Sequence, residues 1–144
     1  MRIESSITIN RPAEDIWEYL IDFEKNKMWN PATVDMRLTS EGPLRKGSTY
    51  VWVGQFLGRH IESNTEVTEF EPGRKFSYKI VSGPFPGTAS TTLEPAEGGT
   101  RVTIRSEGDM GGFFKLAEPV MARMSKRQIE GMLANLKDLV EAQG

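Results

Sequence analysis

Apolar and polar residues alternate at the start of the chain. Ile3, Ser5, Ile7 and Ile9 share one side while Glu4, Ser6 and Thr8 share the other, which predicts a short strand with one buried face. The period then changes: Ile16, Trp17, Leu20, Ile21 and Phe23 recur at helical spacing. Pro12 suits the first helical position, and Glu14 and Asp15 fall in the first turn, where the helix dipole favours acids. Arg11 stands where the N-cap would be, a role it fills poorly. The helix, or pair of short helices, should end before Trp29-Asn30-Pro31, because a residue preceding proline avoids the α region.

From Val34 to Glu107 the pattern is strand and turn. Val34-Met36-Leu38, Ser48 to Gln55, Arg59 to Phe70, Lys75 to Val81, Thr88 to Leu93 and Thr100 to Glu107 read as strands. Turn signals separate them, among them Glu41-Gly42-Pro43, Phe56-Leu57-Gly58, Glu71-Pro72-Gly73 and Gly83 to Gly87. Strands joined by turns with no helix between them predict an antiparallel meander.

Gly108 to Gly112 breaks the sheet pattern, and the rest reads as one long helix ending near Gln143, with Pro119 in its first turns. Phe113, Leu116, Ala117, Val120, Met121 and Met124 form one apolar face. Ile129, Met132, Leu133, Leu136, Leu139 and Val140 form a second, rotated by about a quarter turn. Where the two stripes cross, Met121, Ser125, Gln128 and Met132 are expected to look toward the sheet. An amphipathic helix of this length must lie across that sheet, since nothing else in the chain could cover it. No linker or repeat divides residues 1–144, so one domain is expected.

Composition removes much of the familiar chemistry. The 144 residues include no cysteine and one histidine, which excludes thiol nucleophiles, thiolate metal sites and histidine clusters. No metal and no cofactor are expected. Lys plus Arg is 18 and Asp plus Glu is 20, so the net charge of −2 offers no field for a phosphate backbone, and nucleic acid is not an expected partner. The N-terminal residues carry no export pattern and no apolar run approaches the roughly 20 residues of a membrane span, so a cytoplasmic location is expected. Oligomeric state is left open.

In the order strand, helix with Trp17, tryptophan–proline corner, meander and long terminal helix, the sequence resembles the SRPBCC (START-like, helix-grip) superfamily, in particular its polyketide cyclase/dehydrase-like branch. The stretches that carry the resemblance are Ile7 to Trp17, Trp29-Asn30-Pro31, Glu66-Val67-Thr68-Glu69-Phe70-Glu71-Pro72, Gly98 to Val102 and Asn135 to Glu141, spread over essentially the whole chain. The resemblance implies an α+β helix-grip fold. In it, a seven-stranded antiparallel sheet wraps around the long C-terminal helix, two short helices follow the first strand, and an apolar cavity lies between sheet and helix. Members include hydrophobic-ligand carriers for lipids or quinones and aromatase/cyclases, and fold alone does not choose among them.

Several residues are candidates for lining such a cavity. Tyr50 and Trp52 share one strand face, as do Phe76, Tyr78 and Ile80 on theirs, although alternation alone leaves open which face turns inward. Trp29 stands at the corner, and Met121, Met124, Ser125 and Gln128 are expected on the inward helix face. The loops at Phe56-Leu57 and Pro84-Phe85 are expected to border the mouth. A small hydrophobic molecule is the expected partner, with binding favoured over catalysis. The alternative is an aromatase/cyclase or dehydratase without metal or cofactor, for which Tyr50, Tyr78, Arg59 and His60 are the weak catalytic candidates. His60, Glu62, Asn64, Glu66 and Thr68 alternate as a solvent-washed strand face would, and Arg123, Lys126 and Arg127 read as a solvated helix face. A protein-binding role for Pro84-Phe85-Pro86 and Phe56-Leu57 is a third reading.

Overall fold

The computed structural model describes residues 2–56, 58–84, 86–108 and 118–142. Strand β1 (Arg2–Ile9) leads into helix α1 (Ala13–Ile21), a short 3-10 turn (Phe23–Lys25) and helix α2 (Asn26–Trp29). Six strands follow, β2 (Thr33–Leu38), β3 (Thr49–Phe56), β4 (Arg59–Glu71), β5 (Lys75–Ser82), β6 (Gly87–Ala96) and β7 (Gly99–Gly108), before helix α3 (Glu118–Ala142). The seven strands form one antiparallel sheet in the order β1-β7-β6-β5-β4-β3-β2, the arrangement expected of a meander whose first strand returns to pair with its last.

Period-2 alternation sets most of the inward face, but the register shifts between Thr33 and Asp35, between Asn64 and Thr65, and between Val67 and Glu69, and the last of these alters it. On β4, Ser63, Thr65 and Val67 are buried while His60, Glu62 and Asn64 are exposed. Val67 pairs with Tyr78 and Glu69 with Ser77, so Thr68 is an extra residue and the parity flips there. Phe70 consequently joins Val67 on the core side, where it meets the rings of Trp17 (5.5 Å between centroids) and Phe76 (6.1 Å).

The second half of α3 buries Ile129, Leu133, Leu136 and Val140 and packs on β1, α1 and α2. Arg11 does not cap α1. Pro12, at φ −66° and ψ 155°, takes the N-cap position because its ring already holds the extended-to-helix geometry. The Arg11 guanidinium instead donates to the Glu141 carbonyl (2.6 Å), and the Asn10 backbone N–H donates to the Glu141 carboxylate (2.9 Å). Lys137 completes the clasp, bonding both Glu141 (2.6 Å) and the Thr8 carbonyl (2.9 Å). Cations and donors at this helix end are favoured by the dipole, so the strand–helix corner secures the far end of α3.

The first half of α3 departs from the expected rotation. Met124 is 48% exposed and Val120 60% exposed, so these two residues do not turn toward the sheet. Nine residues separate Met124 from Leu133, which at about 100° per residue places them on opposite sides of one helix. The later stripe, anchored by burial of Leu133 and Leu136, decides the rotation of the whole. Phe113, Leu116 and Ala117 lie outside the described residues, as do Leu57 and Phe85 at the loop tips. No helix among the described residues is long and apolar enough to cross a membrane.

Candidate functional site

A cavity of about 320 Å3 lies between the inward face of the sheet and the middle of α3, from Ser125 to Met132. It exists because the sheet carries small side chains where a solid core would carry aliphatics: Ser63 and Thr65 on β4, Ala89 and Thr91 on β6, and Ser106 on β7. Around this patch stand the aromatic walls Trp29, Tyr50, Trp52, Phe76 and Tyr78, which resolves the parity of β3 and β5 in favour of the inward arrangement. Ser125, Gln128, Ile129 and Met132 close the helix side. Ser125 and Ile129, like Gln128 and Met132, are four residues apart and share a face.

Met121 and Met124 are not part of the wall, because the rotation of α3 carries Met124 out to solvent. Gln128 borders the cavity while remaining exposed, so its amide needs no buried partner. On the cavity wall, the buried polar atom without one among the described residues is Trp29 Nε1, an omission costing about 1–3 kcal/mol; away from the wall, Ser77 Oγ is likewise buried without a hydrogen-bond partner.

Trp52 is held by a short relay. Its Nε1 donates to Thr33 Oγ1 (2.8 Å), and Thr33 Oγ1 donates to Asn26 Oδ1 (2.6 Å). Asn26 opens α2 and Thr33 opens β2, so the α2–β2 corner fixes the indole that forms one wall. Asn30 stabilises that corner by accepting from the Ala32 amide (3.1 Å), and Asn135 of α3 donates to the Trp29 carbonyl (3.3 Å).

Of the four weak catalytic candidates, Tyr50 and Tyr78 converge. Their rings meet edge to face at 6.1 Å, and both line the cavity. Burial pushes the Tyr50 hydroxyl well above the ordinary tyrosine pKa, with the neighbouring Tyr78 adding to it, and burial alone raises Tyr78. Both phenols therefore stay protonated at neutral pH, each with an O–H able to donate a hydrogen bond. Arg59 and His60 are exposed on the β3–β4 hairpin, with His60 Nε2 3.2 Å from Gln55 Nε2. Glu62 is exposed and Glu66 lies 3.8 Å from Lys79, away from the tyrosines on the opposite strand face. Arg123, Lys126 and Arg127 are exposed. Among the described residues, no three His, Cys, Asp or Glu side chains gather as a metal would require.

The family described as polyketide cyclase/dehydrase and lipid transport matches residues 1–141 of this sequence. The chain belongs to that family. Its fold is shared with a START superfamily protein from Mycobacterium smegmatis (TM-score 0.81, 16% identity, covering 99% of each chain). It is shared as well with TTHA0849 from Thermus thermophilus (TM-score 0.86, 18% identity, covering 100% of this chain and 99% of that one). The same holds for Ara h 8.0201 (TM-score 0.75, 16% identity, covering 99% and 98%). At such identities the likeness is one of fold. Among curated proteins nothing matches the sequence. Family and fold together make this a helix-grip, SRPBCC-type chain. The residues that sequence reasoning passed over are the small hydroxyls Ser63, Thr65, Thr91 and Ser106 and the anchor Thr33. For Ser63 and Thr65 a signal was present, since the opposite face of β4 carries His60, Glu62 and Asn64.

Proposed function

We propose that this protein binds a small, largely apolar molecule in the cavity between the sheet and α3, with the whole chain acting as one binding domain in the cytoplasm. The observation that carries the reading is the aromatic-walled space of about 320 Å3 beneath a helix whose first half leaves the core. That volume falls at the lower end of the range for small-molecule sites, roughly 300–1,000 Å3. Trp29, Trp52, Tyr78, Ser125 and Gln128 are the contacts proposed from sequence that also line this space, and Tyr50 joins them. Family membership supports a hydrophobic ligand. Native mass spectrometry of the purified protein, followed by thermal shift with the molecule it retains, tests the reading. A retained small molecule that raises the melting temperature is expected. A protein that is empty and unresponsive to lipids, quinones and aromatic polyketides alike would sink it.

A second reading, catalysis of cyclisation or dehydration on a bound chain, is favoured by one observation: two protonated phenols facing one cavity. They would donate hydrogen bonds to a carbonyl as negative charge develops on its oxygen. Tyr50→Phe and Tyr78→Phe separate the readings. Loss of turnover with binding retained supports an enzyme, whereas unchanged retention with no turnover by either form supports a carrier.

A further inference from the structure

We infer that the ligand is an uncharged molecule of about two fused rings carrying hydroxyl or carbonyl groups, and that carboxylates and ammonium ions are rejected. The inference rests on the cavity-binding reading above and adds the chemical class.

Three features of the cavity lead to it. The first is charge: none of its described lining residues is ionic, although charged residues make up 26% of the chain. The polar groups on the wall are neutral: hydroxyls and amides, such as Ser63, Thr65, Thr91 and Asn26, and the indole N–H of Trp29. A carboxylate or ammonium moved into this space would lose its hydration and find no counter-charge among the described residues, the situation in which buried ions are most costly.

The second is hydrogen-bond character. Hydroxyls both donate and accept, and an amide offers one group of each kind. Such a lining matches neutral oxygen groups, which are themselves acceptors or donor–acceptors. A wholly aliphatic ligand would leave these groups facing nothing polar, so the lining selects against it as well.

The third is size and shape. A cavity of about 150 Å3 accommodates one benzene. At about 320 Å3 this one holds roughly two such rings. Trp29, Trp52, Tyr50 and Tyr78 present rings to it, which suits a flat aromatic surface. Two acyl chains of a membrane lipid would not be enclosed.

Isothermal titration of the wild-type chain at neutral pH with three matched probes, naphthalenemethanol, naphthoate and naphthylmethylammonium, tests this. The alcohol is expected to bind at least about tenfold more tightly than either ion. The variant Gln128→Lys, at a position that is exposed and borders the cavity, is expected to raise naphthoate affinity by about tenfold and to weaken naphthylmethylammonium further. If either ion binds as well as the alcohol, or Gln128→Lys leaves naphthoate unchanged, the inference is overturned while the cavity-binding reading stands. If none of the three binds at millimolar concentration but a molecule retained from the cell does, the size class is wrong. If nothing binds at all, the underlying reading falls with it.

Discussion

Trp52 occupies the space that a side chain at Gly54 would need. The two residues share a face of β3, and a Cβ built on Gly54 would come within 1.9 Å of the six-membered ring of the indole, far inside contact distance. The glycine thus permits the wall. Gly54→Ala is expected to displace the ring, strain the Trp52–Thr33 hydrogen bond and destabilise the protein by about 1–3 kcal/mol. Urea denaturation measures the loss, and a shift in tryptophan emission reports the displaced ring. Unchanged stability and emission would mean the indole can lie elsewhere at no cost.

Filling the cavity distinguishes a real void from a packed core. Ala89 lines it from β6. Ala89→Leu is expected to leave the empty protein within about 0.5 kcal/mol of wild type or to stabilise it, and to abolish ligand-induced thermal shifts. A loss of roughly 1–3 kcal/mol, the cost of overpacking a solid core, would contradict the cavity. Met124→Ala serves as the contrast: on the solvent side of α3 it should change stability by about 0.5 kcal/mol or less and leave binding intact.

Acid should loosen the clasp at the end of α3. The Asn10 backbone N–H, then the Lys137 ammonium, hold the Glu141 carboxyl below its ordinary value of 4.5. Arg105 does the same for Glu4, and Lys75 for Glu69. Below that ordinary value the unfolded chain takes up protons that the folded chain still refuses, so stability rises with pH through this window. The contribution is complete above 4.5 and is lost as pH falls through the lowered folded values. Thermal melts from neutral to acid pH should therefore fall less steeply in Glu141→Gln than in wild type. Parallel curves would assign the acid limb to other groups.

Alkali should act on the cavity wall. Tyr50 and Tyr78 both sit above the ordinary tyrosine value of 10.0 when folded. Above that pH the unfolded chain releases phenolic protons that the folded chain keeps, so stability is lost as pH rises. Phenolate absorbance should show both residues titrating late in the folded protein and at the ordinary value in denaturant. Tyr50→Phe and Tyr78→Phe should each remove part of the late signal. A normal titration of both in the native state would place them in contact with bulk water.

Much of the fold was legible because its determinants are local. The alternation of Ile3 to Ile9, the turn residues between strands and the helical spacing of Ile129, Leu133, Leu136 and Val140 each reflect a backbone period that a few neighbouring residues reveal. The family motifs followed from the same stretches. On the cavity wall, Trp52, Tyr78, Ser125 and Gln128 could be proposed because period 2 and period 3.6 state which residues share a face.

Which face turned inward was another matter. The aromatics of β3 and β5 could have looked either way until the register of Val67 with Tyr78 and of Tyr50 with Thr65 tied them to the buried side of β4. Thr68 shifts parity so that Phe70 also faces the core, and no alternation rule announces a bulge. Met124 shows the limit most clearly. Its local stripe was as apolar as the later one, but a helix turns as a rigid body, and the packing of Leu133 and Leu136 on distant elements outvoted it. The elements and the faces they share were therefore readable from the chain, because neighbours along it set them. Their orientation and the cavity left between them emerged only on folding, because both depend on contacts between residues far apart in sequence.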